Sequence, residues 1–329
     1  MDKRMVWLNG KVVPYAEASV PLLNTSFRYG AMVFEGIRAY WNPRTQRQNL
    51  FRLEEHAVRL LESIKLMRFE AAYTVEQVRQ AVIDYLQALA PQQDMHIRQM
   101  VYLDSEEFYY ARGPLQMAIA AVPMGRRRGF EQGLHCNISS WRRISDQSMP
   151  PRIKCAGNYQ NSRLAHIESV ESGYDYPLLL NDRGKVSEGG GSAVLLVRHG
   201  ALVTPPVTAD LLESITRDTL LELAKEQLAM RVEVREVDRT ELLLAEEVFL
   251  CGTAEEVMPV ASVDHVTIGS GAPGPVTRKL QEELLAAARG DTNRFAGWRT
   301  QLDAPQDRHH VRAHLVRPAR GVRIALEDL

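Results

Sequence analysis

From residue 5 to about residue 300, short strand-like apolar runs alternate with amphipathic helical stretches. That mixture constrains the fold more than any other feature of the chain. Residues 6–13 read as a hairpin turning at Asn9-Gly10, and residues 32–40 are β-prone. Leu53, Ala57, Leu60, Leu61 and Ile64 fall on one face of a helix. A second helix is predicted over 74–90, then strands near 97–103 and 115–122. Beyond Pro123 the cluster Arg126-Arg127-Arg128-Gly129 reads by itself as a solvated linker and marks a domain junction. The second half predicts strands at 134–140, 176–181, 193–197, 232–237 and 247–251, with helices over 161–172, 214–229 and 277–289. No repeat of fixed period is present. The expectation is an α+β protein: a small N-terminal domain over 1–123, a loop over 124–132, and a second domain over 133–300. An Arg/His-rich tail, 301–329, follows without clear periodicity.

Charge and cysteine content narrow the partners. The 329 residues carry 40 basic and 41 acidic side chains, a formal net charge of −1. No global field draws this chain to nucleic acid or an anionic membrane, so a small-molecule partner is expected. Cys136, Cys155 and Cys251 are an odd, widely spaced set that suits neither a disulfide framework nor a zinc site. No run approaches the roughly 18 apolar residues of a membrane span. The first residues reach the Asn9-Gly10 turn before a signal-peptide core could form. A cytoplasmic protein without a bound metal is the expectation.

Lysine is scarce: Lys3, Lys11, Lys65, Lys154, Lys185, Lys225 and Lys279 are the whole set. Arginine carries nearly all the positive charge, yet arginine cannot replace a lysine that must lose a proton and attack a carbonyl. Lys154 stands apart, in Pro150-Pro151-Arg152-Ile153-Lys154-Cys155-Ala156-Gly157-Asn158-Tyr159. A lysine held out of water releases its proton more readily and becomes a nucleophile. Bulk features alone would still leave it a surface residue. The Gly189-Gly190-Gly191 run lacks G-x-G-x-x-G spacing and precedes a predicted strand, which argues against a nucleotide-binding loop.

The segment Ile153-Lys154-Cys155-Ala156-Gly157-Asn158-Tyr159-Gln160-Asn161-Ser162 resembles the cofactor-lysine motif of branched-chain aminotransferases, which are fold-type IV enzymes dependent on pyridoxal 5'-phosphate (PLP). Further matching segments occur in the family's order. These are Tyr29-Gly30 through Phe34-Glu35-Gly36-Ile37-Arg38, then Arg52-Leu53 through His56 and Arg59-Leu60. Ser187-Glu188-Gly189, Ser214-Ile215-Thr216-Arg217-Asp218 and Gly252-Thr253-Ala254-Glu255-Glu256-Val257 follow. The likeness runs over roughly residues 5–300. It implies two domains, an N-terminal α/β sandwich and a C-terminal pseudo-barrel-like α/β domain, with PLP between them in a homodimer.

The resemblance also implies residue roles. Lys154 would hold PLP covalently through its amine and shuttle the proton at the substrate's Cα. Glu188 would keep the pyridine nitrogen protonated, and Tyr159 would donate to the ring's phenolic oxygen. Arg59 would grip the phosphate through a bidentate guanidinium. The backbone N–H groups of Ile215 and Thr216, at a helix start, and the Thr253 hydroxyl would complete its cradle. Read without the family, Arg59 is a surface partner of His56, Ser214 a helix cap, Thr253 a turn residue and Glu188 a loop carboxylate.

For substrate, the resemblance implies that the backbone of Thr253 and Ala254 meets the α-carboxylate and that Arg98 receives the distal carboxylate of glutamate or 2-oxoglutarate. Tyr29 and Phe34 would line the side-chain pocket, and Phe34, Arg98 and their strand neighbours would lie near the dimer contact. The chain departs from the family at His96, where a tyrosine is usual, at Gln99, at Ser192-Ala193, and at Arg126-Arg127-Arg128. These departures suggest that His96 or Arg127 reads a polar or acidic group on the substrate. The reaction implied is transamination between an L-amino acid, branched-chain or related, and a 2-oxo acid such as 2-oxoglutarate. Other fold-type IV activities (D-amino acid or amine transamination, an aminodeoxychorismate lyase-like reaction) form the enzymatic alternative. A non-catalytic binding protein that keeps the fold is the other alternative.

Overall fold

A computed structural model describes residues 4–71 and 73–302. The N-terminal lobe contains strands β1 (Met5–Leu8), β2 (Lys11–Pro14), β3 (Met32–Asn42), β4 (Arg47–Phe51), β5 (Met95–Leu103) and β6 (Leu115–Pro123). Its helices are α1 (Thr25–Tyr29), α2 (Leu53–Leu66) and α3 (Val75–Leu89). The β1–β2 hairpin turns where predicted, with Asn9 at φ 47° and Gly10 at φ 91°. Positive φ at both central residues is what a two-residue hairpin loop requires.

Helix α2 presents Leu53, Ala57, Leu60 and Ile64 to the sheet, and α3 adds Val78, Val82, Tyr85 and Leu86. Each Val, Leu or Ile side chain among these contributes roughly 1.5–3 kcal/mol by leaving water. Thr74 closes the start of α3 with a capping box to Gln77, which fixes the helix start one residue inside the predicted range.

The C-terminal lobe carries β7 (Leu134–Arg142), β8 (Tyr176–Leu180), β9 (Val186–Gly189), β10 (Ala193–Arg198), β11 (Ala201–Thr204), β12 (Val232–Val234), β13 (Glu247–Gly252), β14 (Glu256–Val263) and β15 (Val266–Thr267). Its helices are α4 (Tyr159–Glu171), α5 (Ile215–Leu228), α6 (Arg239–Leu243) and α7 (Pro275–Arg289). Strand order runs β12-β11-β10-β13-β14-β7-β8-β9, and β9 also pairs with β10. That extra pairing closes six strands into a ring, the pseudo-barrel that the resemblance implied. Closure passes through the pair Glu188↔Ala193, so Glu188 is fixed by the barrel itself.

The last strand, β16 (Arg299–Leu302), returns to the first sheet and pairs antiparallel with β4. The domain boundary expected at 300 therefore falls inside a strand of the N-terminal sheet. Only the part of the expected tail beyond residue 302 lies outside the described residues. Strand β14 was not predicted. All eight of its residues are buried, so no polar alternation marks it, and Pro259 interrupts its strand signal. The segment holding Lys154 is a turn with one bridge, Cys155↔Val33, tied down by Phe34 N–H donating to the Lys154 carbonyl at 3.0 Å.

Candidate active site

A cavity of about 470 Å³ opens between the lobes, within the range of small-molecule sites. The N-terminal sheet supplies one wall. In the β3–β5 register Gly36 faces Arg98 and Arg38 faces His96. Alternation then puts Phe34, Gly36, His96 and Arg98 on one face, and these four line the cavity. A Cβ at Gly36 would lie 3.1 Å from His96 Cε1, so the glycine makes room for the imidazole. The Arg98 guanidinium sits 4.5 Å from the centre of the Phe34 ring, a cation–π distance.

The barrel supplies the other wall. Lys154 Nζ donates to Tyr159 Oη at 2.9 Å and lies 5.2 Å from the Phe34 ring centre. Glu188, 5% exposed, forms an ion pair with Arg143 at 2.6 Å and accepts the Leu212 N–H at 3.3 Å. Burial raises the Glu188 carboxyl above its ordinary pKa, and Arg143 and the Leu212 amide recover only part of that shift. Gly190 and Gly191 border the same cavity. A side chain at Gly190 would come within 3.0 Å of Pro177 Cγ, so glycine lets this edge of the cavity pack closely on β8.

Arg59 reaches the cavity from α2, but not as a surface partner of His56. Its Nε and Nη2 donate to the two oxygens of Glu35 at 2.7 and 2.8 Å, and its Nη1 donates to the Glu213 carbonyl at 2.7 Å. His56 Nδ1 stands 2.7 Å from Glu35. Burial alone would raise the Glu35 carboxyl, yet Arg59 and His56 hold it well below the usual carboxylate range. Burial also lowers the His56 pKa, and the positive charge of Arg59 and Lys154 adds to it against the pull of Glu35. A neutral His56 then donates Nδ1–H to the carboxylate. The fork of Arg59 is thus committed to Glu35, and only its outer edge faces the cavity.

Helix α5 points its first turn at the same space. Ser214 caps it by accepting from Arg217 N–H, and Ile215 lines the cavity. Thr216 lines a small adjoining cavity together with Ile215, Gly252, Thr253 and Arg38. The β13–β14 connection holds Thr253, Ala254 and Glu255, all cavity-lining. Its far end, Glu256, has φ 57°, a left-handed value costly for a residue with a side chain. Tyr40 Oη at 2.9 Å and Arg38 Nη2 at 3.3 Å anchor the Glu256 carboxylate. That anchor ties the turn to the N-terminal sheet.

Of the predicted residues, the structure brings Lys154, Tyr159, Glu188, Arg59, Ile215, Thr253, Ala254, Phe34, His96, Arg98 and Arg127 to this one cavity. Tyr29 is not among them. It is 48% exposed and packs edge-on against Tyr109. Arg127 does not stand free either: Nη1 lies 2.6 Å from Glu255. Sequence reasoning assigned no role to Glu35, Arg143 or Glu255. Glu35 and Glu255 were quoted inside matching motifs, and Arg143 had no motif at all.

The donor set is a primary amine beside a phenol, a buried carboxylate, a guanidinium and a helix N-terminus. It can hold a flat heterocycle with a basic nitrogen at one end and an anionic group at the other.

A model of the family described as amino-transferase class IV matches residues 32–263. A probable branched-chain-amino-acid aminotransferase of Aquifex aeolicus is 38% identical over 301 residues, which cover 90% of this chain and 96% of that protein. Among solved structures, the branched-chain amino acid aminotransferase of Thermobaculum terrenum in its PLP form superposes with a TM-score of 0.88. It is 42% identical and spans 92% of this chain and 100% of that one. The branched-chain aminotransferase of Thermoproteus uzoniensis, solved with norvaline, gives a TM-score of 0.87 at 36% identity, over 91% of this chain and 99% of that one.

Proposed function

The chain belongs to the class IV amino-transferase family, and from that footing we propose that it moves an amino group between an L-amino acid, branched-chain or related, and a 2-oxo acid such as 2-oxoglutarate. It is a PLP-dependent enzyme of the fold-type IV class. The observation that carries this reading is the 2.9 Å contact of Lys154 Nζ with Tyr159 Oη in the same cavity as the buried Glu188.

The residues fit PLP on their own chemistry. Lys154 would hold it through the amine, and Glu188 would partner the ring nitrogen. Tyr159 would contact the phenolic oxygen. The first turn of α5 with Ile215 and Thr216, the Thr253 hydroxyl and the outer edge of Arg59 would take the phosphate. When bound, PLP supplies an aldehyde that exchanges amino groups and a ring that accepts the electron pair left at Cα.

The protein's own groups do the rest. Lys154 Nζ takes the proton from the substrate's Cα and hands it back, with Tyr159 Oη fixing the amine in position. Glu188, held by Arg143 and the Leu212 N–H, would pair with the ring nitrogen and keep its proton there. Glu35 and His56 keep the Arg59 guanidinium where an anion can meet it. The N–H groups of Thr253 and Ala254 suit the substrate α-carboxylate. Arg98 suits a distal one, because none of the described carboxylates is paired with it.

We also propose a cytoplasmic homodimer. Leu22, Phe27, Tyr29, Phe108, Tyr109 and Tyr110 are each exposed by 48% or more, an apolar surface of the kind that a second copy buries. No helix among the described residues is long and apolar enough to cross a membrane. Steady-state rates with 2-oxoglutarate and a panel of L-amino acids test the proposal. Turnover of leucine, isoleucine or valine is expected, and no transfer from any L-amino acid would sink it. Light scattering checks the dimer.

A further inference from the structure

We propose that Glu255 is a specificity-determining residue that admits amino donors whose side chain ends in a cation, with Arg127 as the charge that such a side chain displaces. This rests on the transamination reading above and names a substrate class for the same site.

Glu255 lies in the turn between β13 and β14, and its side chain is only 13% exposed. Its carboxylate folds back over the cavity floor: a Cβ on Gly252 would lie 2.7 Å from Glu255 Oε2. Lys154, Tyr176, Ser192 and Thr253 line the same space. Arg127 comes from the connector between the lobes and is 48% exposed while its Nη1 holds Glu255 Oε1 at 2.6 Å. Burial pushes the Glu255 carboxyl up and Arg127 is the largest influence pulling it down. The carboxylate therefore depends on a neighbouring cation.

The two partners differ in what each loses when the pair opens. If an acidic side chain captured Arg127, Glu255 would be left buried without its countercharge, an expensive outcome. If a cationic side chain takes Glu255, Arg127 swings into water, where half of it already is. The carboxylate then keeps a countercharge throughout. A guanidinium from the substrate would replace the guanidinium of Arg127 like for like. A neutral branched side chain leaves the pair closed.

The acceptor does not compete for this position. Arg98, stacked on Phe34 and paired with none of the described carboxylates, remains for an acidic 2-oxo acid. One cavity thus offers a cation to the acceptor and an anion to the donor, which suits substrates that enter in turn.

The test uses the PLP-loaded protein and two unreactive carboxylates that lack an α-amino group. These are 5-guanidinopentanoate, the arginine analogue, and 4-methylvalerate, the leucine analogue. Calorimetry gives both affinities in the wild type, Glu255→Gln and Arg127→Ala, alongside kcat/KM for L-arginine and L-leucine. Glu255→Gln is expected to weaken 5-guanidinopentanoate about tenfold relative to 4-methylvalerate, the scale of one charge-assisted contact. Arg127→Ala is expected to shift the same ratio the other way. Ratios that stay within twofold in both variants, or move in the opposite sense, overturn the proposal. If leucine is transaminated normally while those ratios stay flat, only this inference falls. If no L-amino acid is transaminated, the parent reading falls with it.

Discussion

At one end of the cavity Arg59, His56 and Glu35 form a buried cluster in which the carboxylate meets the guanidinium and the imidazole at 2.7–2.8 Å. At the other end Arg127 is half in water, and the buried Nδ1 of His96 has no partner among the described residues. The wall that carries Glu188 is as firmly built as that first end, since Glu188 sits in the strand pair that shuts the barrel. The second end draws Arg127 from a connector and Glu255 from a turn. A site that must hold one cofactor but accept several substrates needs that division, with fixed charges where chemistry is constant and replaceable ones where selection happens.

Four perturbations would break or sharpen this contrast. The largest effect belongs to Lys154, which faces both ends. Lys154→Ala is expected to slow amino transfer from L-leucine by roughly 10⁴-fold, the upper range for a general acid–base group. Single-turnover kinetics would show it, and a loss under tenfold would mean that another base serves. Glu35→Ala tests the fixed end. Removing the carboxylate leaves Arg59 and His56 buried without it, a cost of about 3–5 kcal/mol. Urea unfolding would measure that loss, and a cost below about 1 kcal/mol, the scale of an exposed ion pair, would remove the distinction between the two ends.

His96 tests the loose end through pH. Burial, with Arg98 and Arg38 adding to it, pushes His96 down to about 4. The unfolded imidazole takes a proton below about 6.5 while the folded one stays neutral, so the unfolded state binds more protons in that interval. Stability contributed by His96 is complete above about 6.5 and is lost as pH falls toward about 4. Between about pH 7 and pH 5 the loss is about 2 kcal/mol. His96→Phe should remove that share of the pH slope, leaving the share due to His56. An identical slope in the variant would contradict the buried neutral imidazole. The smallest effect is expected outside both ends. Arg152 reaches Glu213 and Asp146 across an exposed surface, and Arg152→Ala should cost under about 1 kcal/mol by thermal melting.

Much of this is legible in the sequence. Helix α2 announced its buried face through Leu53, Ala57, Leu60 and Ile64, and Asn9-Gly10 announced its turn, because each signal is local. Lys154, Glu188 and the start of α5 were legible through an ordered set of motifs. The rest depends on residues far apart in sequence. Strand β14 is buried along its whole length and holds Pro259, so neither alternation nor propensity marks it. Strand β16 matters only because it finds β4, at the far end of the described chain. The pairing of Glu35 with Arg59 joins a strand to a helix, and nothing in either segment states that they meet. Arg127 was legible as a departure but not as half of a pair, since its partner lies 128 positions away.

All of these assignments converge on the amine of Lys154. Reducing the PLP-loaded enzyme with borohydride, digesting it and mapping the products by mass spectrometry would locate the attachment. A cofactor-derived adduct should appear on the peptide containing Lys154 and disappear in Lys154→Ala. An unmodified Lys154 peptide, or an adduct carried by Lys65 or Lys185 instead, would contradict the site described above.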